Sequence, residues 1–118
     1  MMKKILLIED DKWYAESLSR MLDEFEIKIT DSAEKSIEII DQDVPDVICL
    51  DLNLGAKNGL SLLHELQSYI DTRKIPIVIL STDARRLDVD NLLVYGVTKI
   101  LDKTEITPDE LKEELNNV

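Results

Sequence analysis

Residues 5–11 read Ile5-Leu6-Leu7-Ile8-Glu9-Asp10-Asp11, four apolar side chains without a break followed by three carboxylates. An uninterrupted apolar run of that length suits a strand buried on both faces, as strands inside a parallel sheet are. Two more runs share the character, Val47-Ile48-Cys49-Leu50 and Ile77-Val78-Ile79-Leu80, and each also meets polar groups at its end: Asp51 in the first, Ser81-Thr82 in the second. Ile27-Lys28-Ile29-Thr30 alternates instead, as an edge strand with one wetter face does, and Val97 to Leu101 is mixed in the same way.

Helical stripes lie between these runs. Tyr14, Leu18, Met21, Leu22 and Phe25 form one, and Ala33, Ile37 and Ile40 a second, which Asp31 precedes, with Glu34 three residues further on at capping-box spacing. Leu62, Leu63, Leu66, Tyr69 and Ile70 make a third, and Ala84 to Tyr95 a weaker fourth. The last helix has the clearest start: Thr107 as cap, Pro108 at the first helical position and Glu110 closing the box. Strand and helix thus alternate five times. That order predicts an α/β fold, a five-stranded parallel sheet with helices on both faces, the flavodoxin-like three-layer sandwich. With the two polar-interrupted strands at the edges, the strand order is 2-1-3-4-5. The site then lies beyond the carboxyl ends of the strands, in the crevice between the first and third.

The chain has 118 residues, enough for one domain over residues 1–118, with no linker-like stretch and no repeat. The formal net charge of −11 argues against a nucleic-acid module and against docking on an anionic membrane. A single cysteine excludes an internal disulfide and fits a reducing compartment. The apolar run after Met1-Met2-Lys3-Lys4 is too short for a signal peptide, so a cytoplasmic location is expected.

Three carboxylates, Glu9, Asp10 and Asp51, converge on the crevice from distant parts of the chain. At a separation of about 4 Å and an effective dielectric near 20, each like-charge pair repels by roughly 4 kcal/mol. Such a cluster takes up protons or recruits a cation, and all-oxygen ligands with open water positions suit Mg²⁺. Lys103 adds a compact positive charge and Ser81 a hydroxyl, both matched to phosphoryl oxygens. A carboxylate nucleophile, a metal, a lysine and a hydroxyl are the parts phosphoryl transfer needs, with Asp51 as the nucleophile.

In these residues the chain resembles the receiver domains of two-component response regulators over essentially its full length. The acidic pair after the first strand is matched by Glu9-Asp10, and the phosphoacceptor segment by Asp51, Leu54 and Gly59. The hydroxyl residue of the fourth strand is matched by Ser81, and the lysine of the fifth by Lys103, seven residues after Gly96. The resemblance implies that Asp51 takes a phosphoryl group from a histidine kinase, a phosphotransfer protein or a small phosphodonor. It implies Mg²⁺ held by Glu9, Asp10, Asp51 and the backbone carbonyl of Asn53. Ser81 then turns toward the phosphoryl group and Lys103 pairs with it. The surface of the fourth helix, fifth strand and fifth helix shifts to signal to a downstream effector or to a second copy of the chain, and water later resets the switch.

The chain departs from the family at several places. Gly55 and Thr104 stand where the family usually has proline, the latter after a cis bond that a non-proline residue adopts only at about 2.5–4 kcal/mol. Either that strain is stored or the lysine is presented differently. Ile100 stands in place of the switch aromatic, so the usual swinging ring is lacking, and Thr82 replaces a smaller residue beside Ser81. The phosphorylation site reads as intact and the output relay as atypical.

Plainer roles compete at each position. Asp11 reads as a helix cap, and Glu9 and Asp10 have the same option. Ser81 reads otherwise as a turn hydroxyl, Asp51 as a loop acid and Lys103 as a surface lysine. Cys49 reads as a small buried apolar residue, His64 as exposed, and Trp13 as a partly exposed ring near the crevice. Leu87, Leu92 and Tyr95 offer a patch on the fourth helix, with burial against the sheet the simpler use.

Among other functions, a pseudo-receiver that binds partners without phosphorylation shares the fold. A flavin mononucleotide carrier needs a phosphate loop where Glu9-Asp10-Asp11 would repel it. An aspartyl phosphatase needs a second aspartate where Asn53 stands. The chain ends after the fifth helix, so a stand-alone receiver and one cut from a longer protein are both open.

Overall fold

The computed structural model describes residues 2–52, 59–82 and 89–118, without the side chains of 59, 60 and 89–91. Asn53, Leu54, Gly55, Ala84 and Leu87 lie outside the described residues.

The five strands are β1 (Lys4–Ile8), β2 (Glu26–Thr30), β3 (Val47–Asp51), β4 (Ile77–Ser81) and β5 (Val97–Asp102). The helices are α1 (Lys12–Met21), α2 (Ala33–Gln42), α3 (Gly59–Ser68), α4 (Val89–Val94) and α5 (Pro108–Asn116). All strand pairs are parallel, in the order β2-β1-β3-β4-β5 expected from the run patterns. β3 and β4 are buried along their full length, whereas the edge strands β2 and β5 are largely open, as their polar interruptions require.

Because side chains alternate across a strand, the inner strands feed two cores. Leu6, Ile8, Ile48, Leu50, Ile77 and Ile79 pack with Ile40 of α2, Leu62, Leu63 and Leu66 of α3 and Leu92 of α4. On the other face Ile5, Leu7, Val47, Cys49, Val78 and Leu80 pack with Ala15 and Leu18 of α1 and Leu111 and Leu115 of α5. Each fully buried Leu or Ile contributes roughly 1.5–3 kcal/mol, so the two cores hold the sheet's position firmly.

Several local expectations need correction. α2 is capped by Ser32, whose hydroxyl accepts from Lys35 N–H at 3.2 Å; Asp31 instead pairs with the Lys35 ammonium at 3.1 Å. On α1 the inward position is filled by Ala15, while Met21 is exposed. α3 stops at Ser68, leaving Tyr69 and Ile70 exposed, because the Thr72 hydroxyl donates to the Leu66 carbonyl at 2.6 Å and closes the helix end. Leu92 is buried against the sheet. The capping box of Thr107 and Glu110 is formed as read.

At the pole away from the strands' carboxyl ends, the Lys3 ammonium donates to the carbonyls of Leu115 and Val118, at 2.8 and 2.7 Å. No described helix is long and apolar enough to cross a membrane.

Candidate functional site

Four strand ends build the cleft. Glu9 follows β1 directly, and its N–H donates to the Thr30 carbonyl at 2.9 Å, which prolongs the β1–β2 ladder by one bond. Asp51 ends β3 and Ser81 ends β4, both buried. Lys103 follows β5, where its N–H donates to the Ser81 carbonyl at 2.8 Å. Each group stands where it does because an apolar strand has just ended.

Among the described residues, Glu9, Asp10 and Asp51 each offer a carboxylate oxygen, all within 4.8 Å of one another. Glu9 and Asp51 are buried and Asp10 is exposed to solvent. Asp11 stands apart from them: its carboxylate accepts from Tyr14 N–H at 3.1 Å as the cap of α1, the plain role expected of it. The Lys103 ammonium lies 2.9 and 3.0 Å from the two Glu9 oxygens and 3.3 Å from Asp51 Oδ2.

Among the described residues, the Lys103 ammonium thus pairs with two of the three acids, Glu9 and Asp51. Burial pushes the Glu9 carboxyl up to about 7; hydrogen bonds from Lys103 and from Asp11 N–H oppose the rise, and the charge of Asp51 adds to it. For Lys103, burial favours the neutral amine, but the hydrogen bond to Glu9 and the charges of Glu9 and Asp51 outweigh it and hold the ammonium above its ordinary value. An all-oxygen donor set with one side open to water matches the coordination chemistry of Mg²⁺. The residues fit such an ion, with Glu9 shared between it and Lys103.

One feature of the site escaped the sequence reading, and another decides between two alternatives it left open. The Tyr14 ring lies under Lys103, with Nζ 4.2 Å from its centroid, and burial pushes the phenol up to about 12. The turn after Lys103 is the other. Every described peptide bond is trans, Lys103–Thr104 included. Asp102 Oδ1 accepts from Thr104 N–H at 2.9 Å and from its hydroxyl at 2.6 Å. Proline has no N–H to give, so a hydrogen-bonded turn presents the lysine here.

The remaining candidates fall out plainly. Ile100 is half-buried against the α2–α4 core, an aliphatic anchor. Cys49 is buried mid-strand, and burial pushes its thiol up to about 12, leaving no reactive thiolate at neutral pH. His64 is exposed and packs at a tilt against Tyr95, with ring centroids 4.3 Å apart and planes 58° to each other. Trp13 is largely exposed. The metal contact read for Asn53 falls outside the described residues.

The family profile of the response regulator receiver domain matches residues 5–116. The chain belongs to this family. It is 34% identical to the transcriptional regulatory protein KdpE of Staphylococcus aureus over 95% of its own length and 48% of that protein's, so it spans about half of that relative. It superposes on a sensor protein from Polaromonas sp. JS666 with a TM-score of 0.89 and 30% identity, covering 98% of this chain and 94% of that one. The receiver domain of sensor histidine kinase PA1611 from Pseudomonas aeruginosa PAO1, solved with magnesium coordinated in its cleft, has the same fold. Its TM-score is 0.82 at 24% identity, over 99% of this chain and 97% of that one. A receiver domain is thus a signalling module of two-component systems, and the strand order and cleft described above are those of its fold.

Proposed function

We propose that this receiver domain accepts a phosphoryl group on Asp51 in a Mg²⁺-dependent reaction and passes the change to a partner. The observation that carries the reading is the gathering of Glu9, Asp10 and Asp51 within 4.8 Å with Lys103 already 3.3 Å from Asp51. A carboxylate oxygen of Asp51 attacks phosphorus as the donor's P–N or P–O bond breaks, and the leaving imidazole or acid departs with its electron pair. The donor class is a phosphohistidine of a kinase or phosphotransfer protein, or a small acyl phosphate.

Glu9, Asp10, Asp51 and the Asn53 carbonyl would hold Mg²⁺, which would supply charge neutralisation at the phosphoryl oxygens. The magnesium in the cleft of the PA1611 receiver domain supports that choice of ion. Lys103 exchanges Glu9 for a phosphoryl oxygen, and Ser81 donates its hydroxyl to another. Hydrolysis by water later returns the carboxylate and releases phosphate. The readout face is that of α4, β5 and α5, met by an effector or by a second copy of the chain in the cytoplasm. With Ile100 packed as an anchor, the face shifts without a swinging aromatic ring.

The test is intact-mass measurement after incubation with Mg²⁺ and acetyl phosphate. One added phosphoryl unit is expected, absent with chelator and absent in Asp51→Asn. An unchanged wild-type mass overturns this reading in favour of a phosphorylation-independent interaction module.

A further inference from the structure

The Lys103 ammonium is bounded on three sides. Glu9 takes it with both oxygens at 2.9 and 3.0 Å, Asp51 at 3.3 Å, and the Tyr14 ring covers it with its centroid at 4.2 Å. Among the described residues, the ring covers a side of the ammonium that these two carboxylates do not, and a π face attracts an ammonium. Tyr14 is itself fixed. Its N–H is held by Asp11 at 3.1 Å in the first turn of α1, and its side chain packs on the core beside Leu101 and Ile106. The turn after Lys103 is held by Asp102, whose carboxylate accepts from the Thr104 N–H and hydroxyl.

We infer that Tyr14 is a positioning residue for phosphoryl transfer: its ring confines the Lys103 ammonium to the arc between Glu9 and Asp51, so that the lysine reaches the incoming phosphoryl group without a search. The inference rests on the reading of Asp51 as phosphoacceptor. It assigns the work to the π face and none to the hydroxyl, so phenylalanine serves as well as tyrosine and an aliphatic side chain does not.

The experiment compares wild type, Tyr14→Phe, Tyr14→Leu and Tyr14→Met, with Mg²⁺ and acetyl phosphate as donor, alongside the NMR shifts of the Lys103 side-chain methylenes without metal. The ring current is expected to shift those methylenes upfield in wild type and Tyr14→Phe and to vanish in the two aliphatic variants. Phosphorylation is expected to slow about three- to tenfold in the aliphatic variants and to stay within about twofold in Tyr14→Phe. Tyr14→Met supplies the same comparison where Tyr14→Leu does not fold. Aliphatic variants that keep the wild-type rate, a Tyr14→Phe as slow as they are, or an unshifted Lys103 in wild type each overturn the role of Tyr14 alone. A wild type that takes no phosphoryl group sinks the reading of Asp51, and this inference with it.

Discussion

Lys103 and Glu9 form a two-pronged ion pair, 2.9 and 3.0 Å long, that joins the last strand to the first. The Glu9 side chain is fully buried, so the pair is not a surface ornament of negligible worth. It is the cleft's internal counter-charge. A divalent ion among Glu9, Asp10 and Asp51 would draw on the same Glu9 oxygens, so the metal and the ammonium would divide one ligand between them.

The first prediction concerns protons. Glu9 titrates at about 7 rather than 4.5, chiefly because burial disfavours its charge. A folded-state value above the unfolded one means that the folded chain holds this proton more tightly. The resulting stabilisation is complete below about pH 4.5 and is lost as the pH climbs through 7. Mg²⁺ competes with that proton for the same oxygens. Added Mg²⁺ therefore raises the melting temperature more at pH 8 than at pH 5.5. Equal gains at both values would refute a shared role for Glu9.

Removing the ammonium tests the pair from the other side. Lys103→Met leaves Glu9 buried without its partner, at a cost on the order of 3 kcal/mol in urea unfolding at pH 8 without metal. The loss shrinks at pH 6, where Glu9 takes up a proton, and shrinks again with Mg²⁺ at pH 8. A loss independent of both pH and metal would assign the cost to packing.

Gly96 supplies a control far from the chemistry. Its φ is +80°, and a Cβ there meets the side-chain amide of Gln67. Gly96→Ala is expected to cost about 1–2 kcal/mol, or roughly 5 °C in melting temperature, through backbone strain. Gly96 precedes β5 at the sheet end opposite the cleft, so the phosphorylation rate of Asp51 is expected to hold. A large fall in that rate would show that the two ends of the sheet are coupled.

The strand order was legible because burial writes itself into runs. Ile48 and Val78 lie on strands buried on both faces and have apolar neighbours on either side, while Lys28 and Lys99 mark the edges. The acids were legible for a related reason, each standing where an apolar run stops. Helix ends were harder. Asp31 and Ser32 both make good caps, and the path of the chain out of β2 selects between them. The period of α3 continues in sequence through Tyr69 and Ile70, but the bond from Thr72 to Leu66 ends the helix, and no periodicity encodes that bond. Tyr14 escaped for the deepest reason. An aromatic at helical spacing reads as core, and only the folded chain brings Lys103, from far along the sequence, onto its face.

The grip of Lys3 on Leu115 and Val118 has a topological corollary. The Lys3 side chain ties the segment 115–118 to the start of β1 at the pole opposite the acids. A tether fastened at that pole leaves the mouth of the cleft unobstructed.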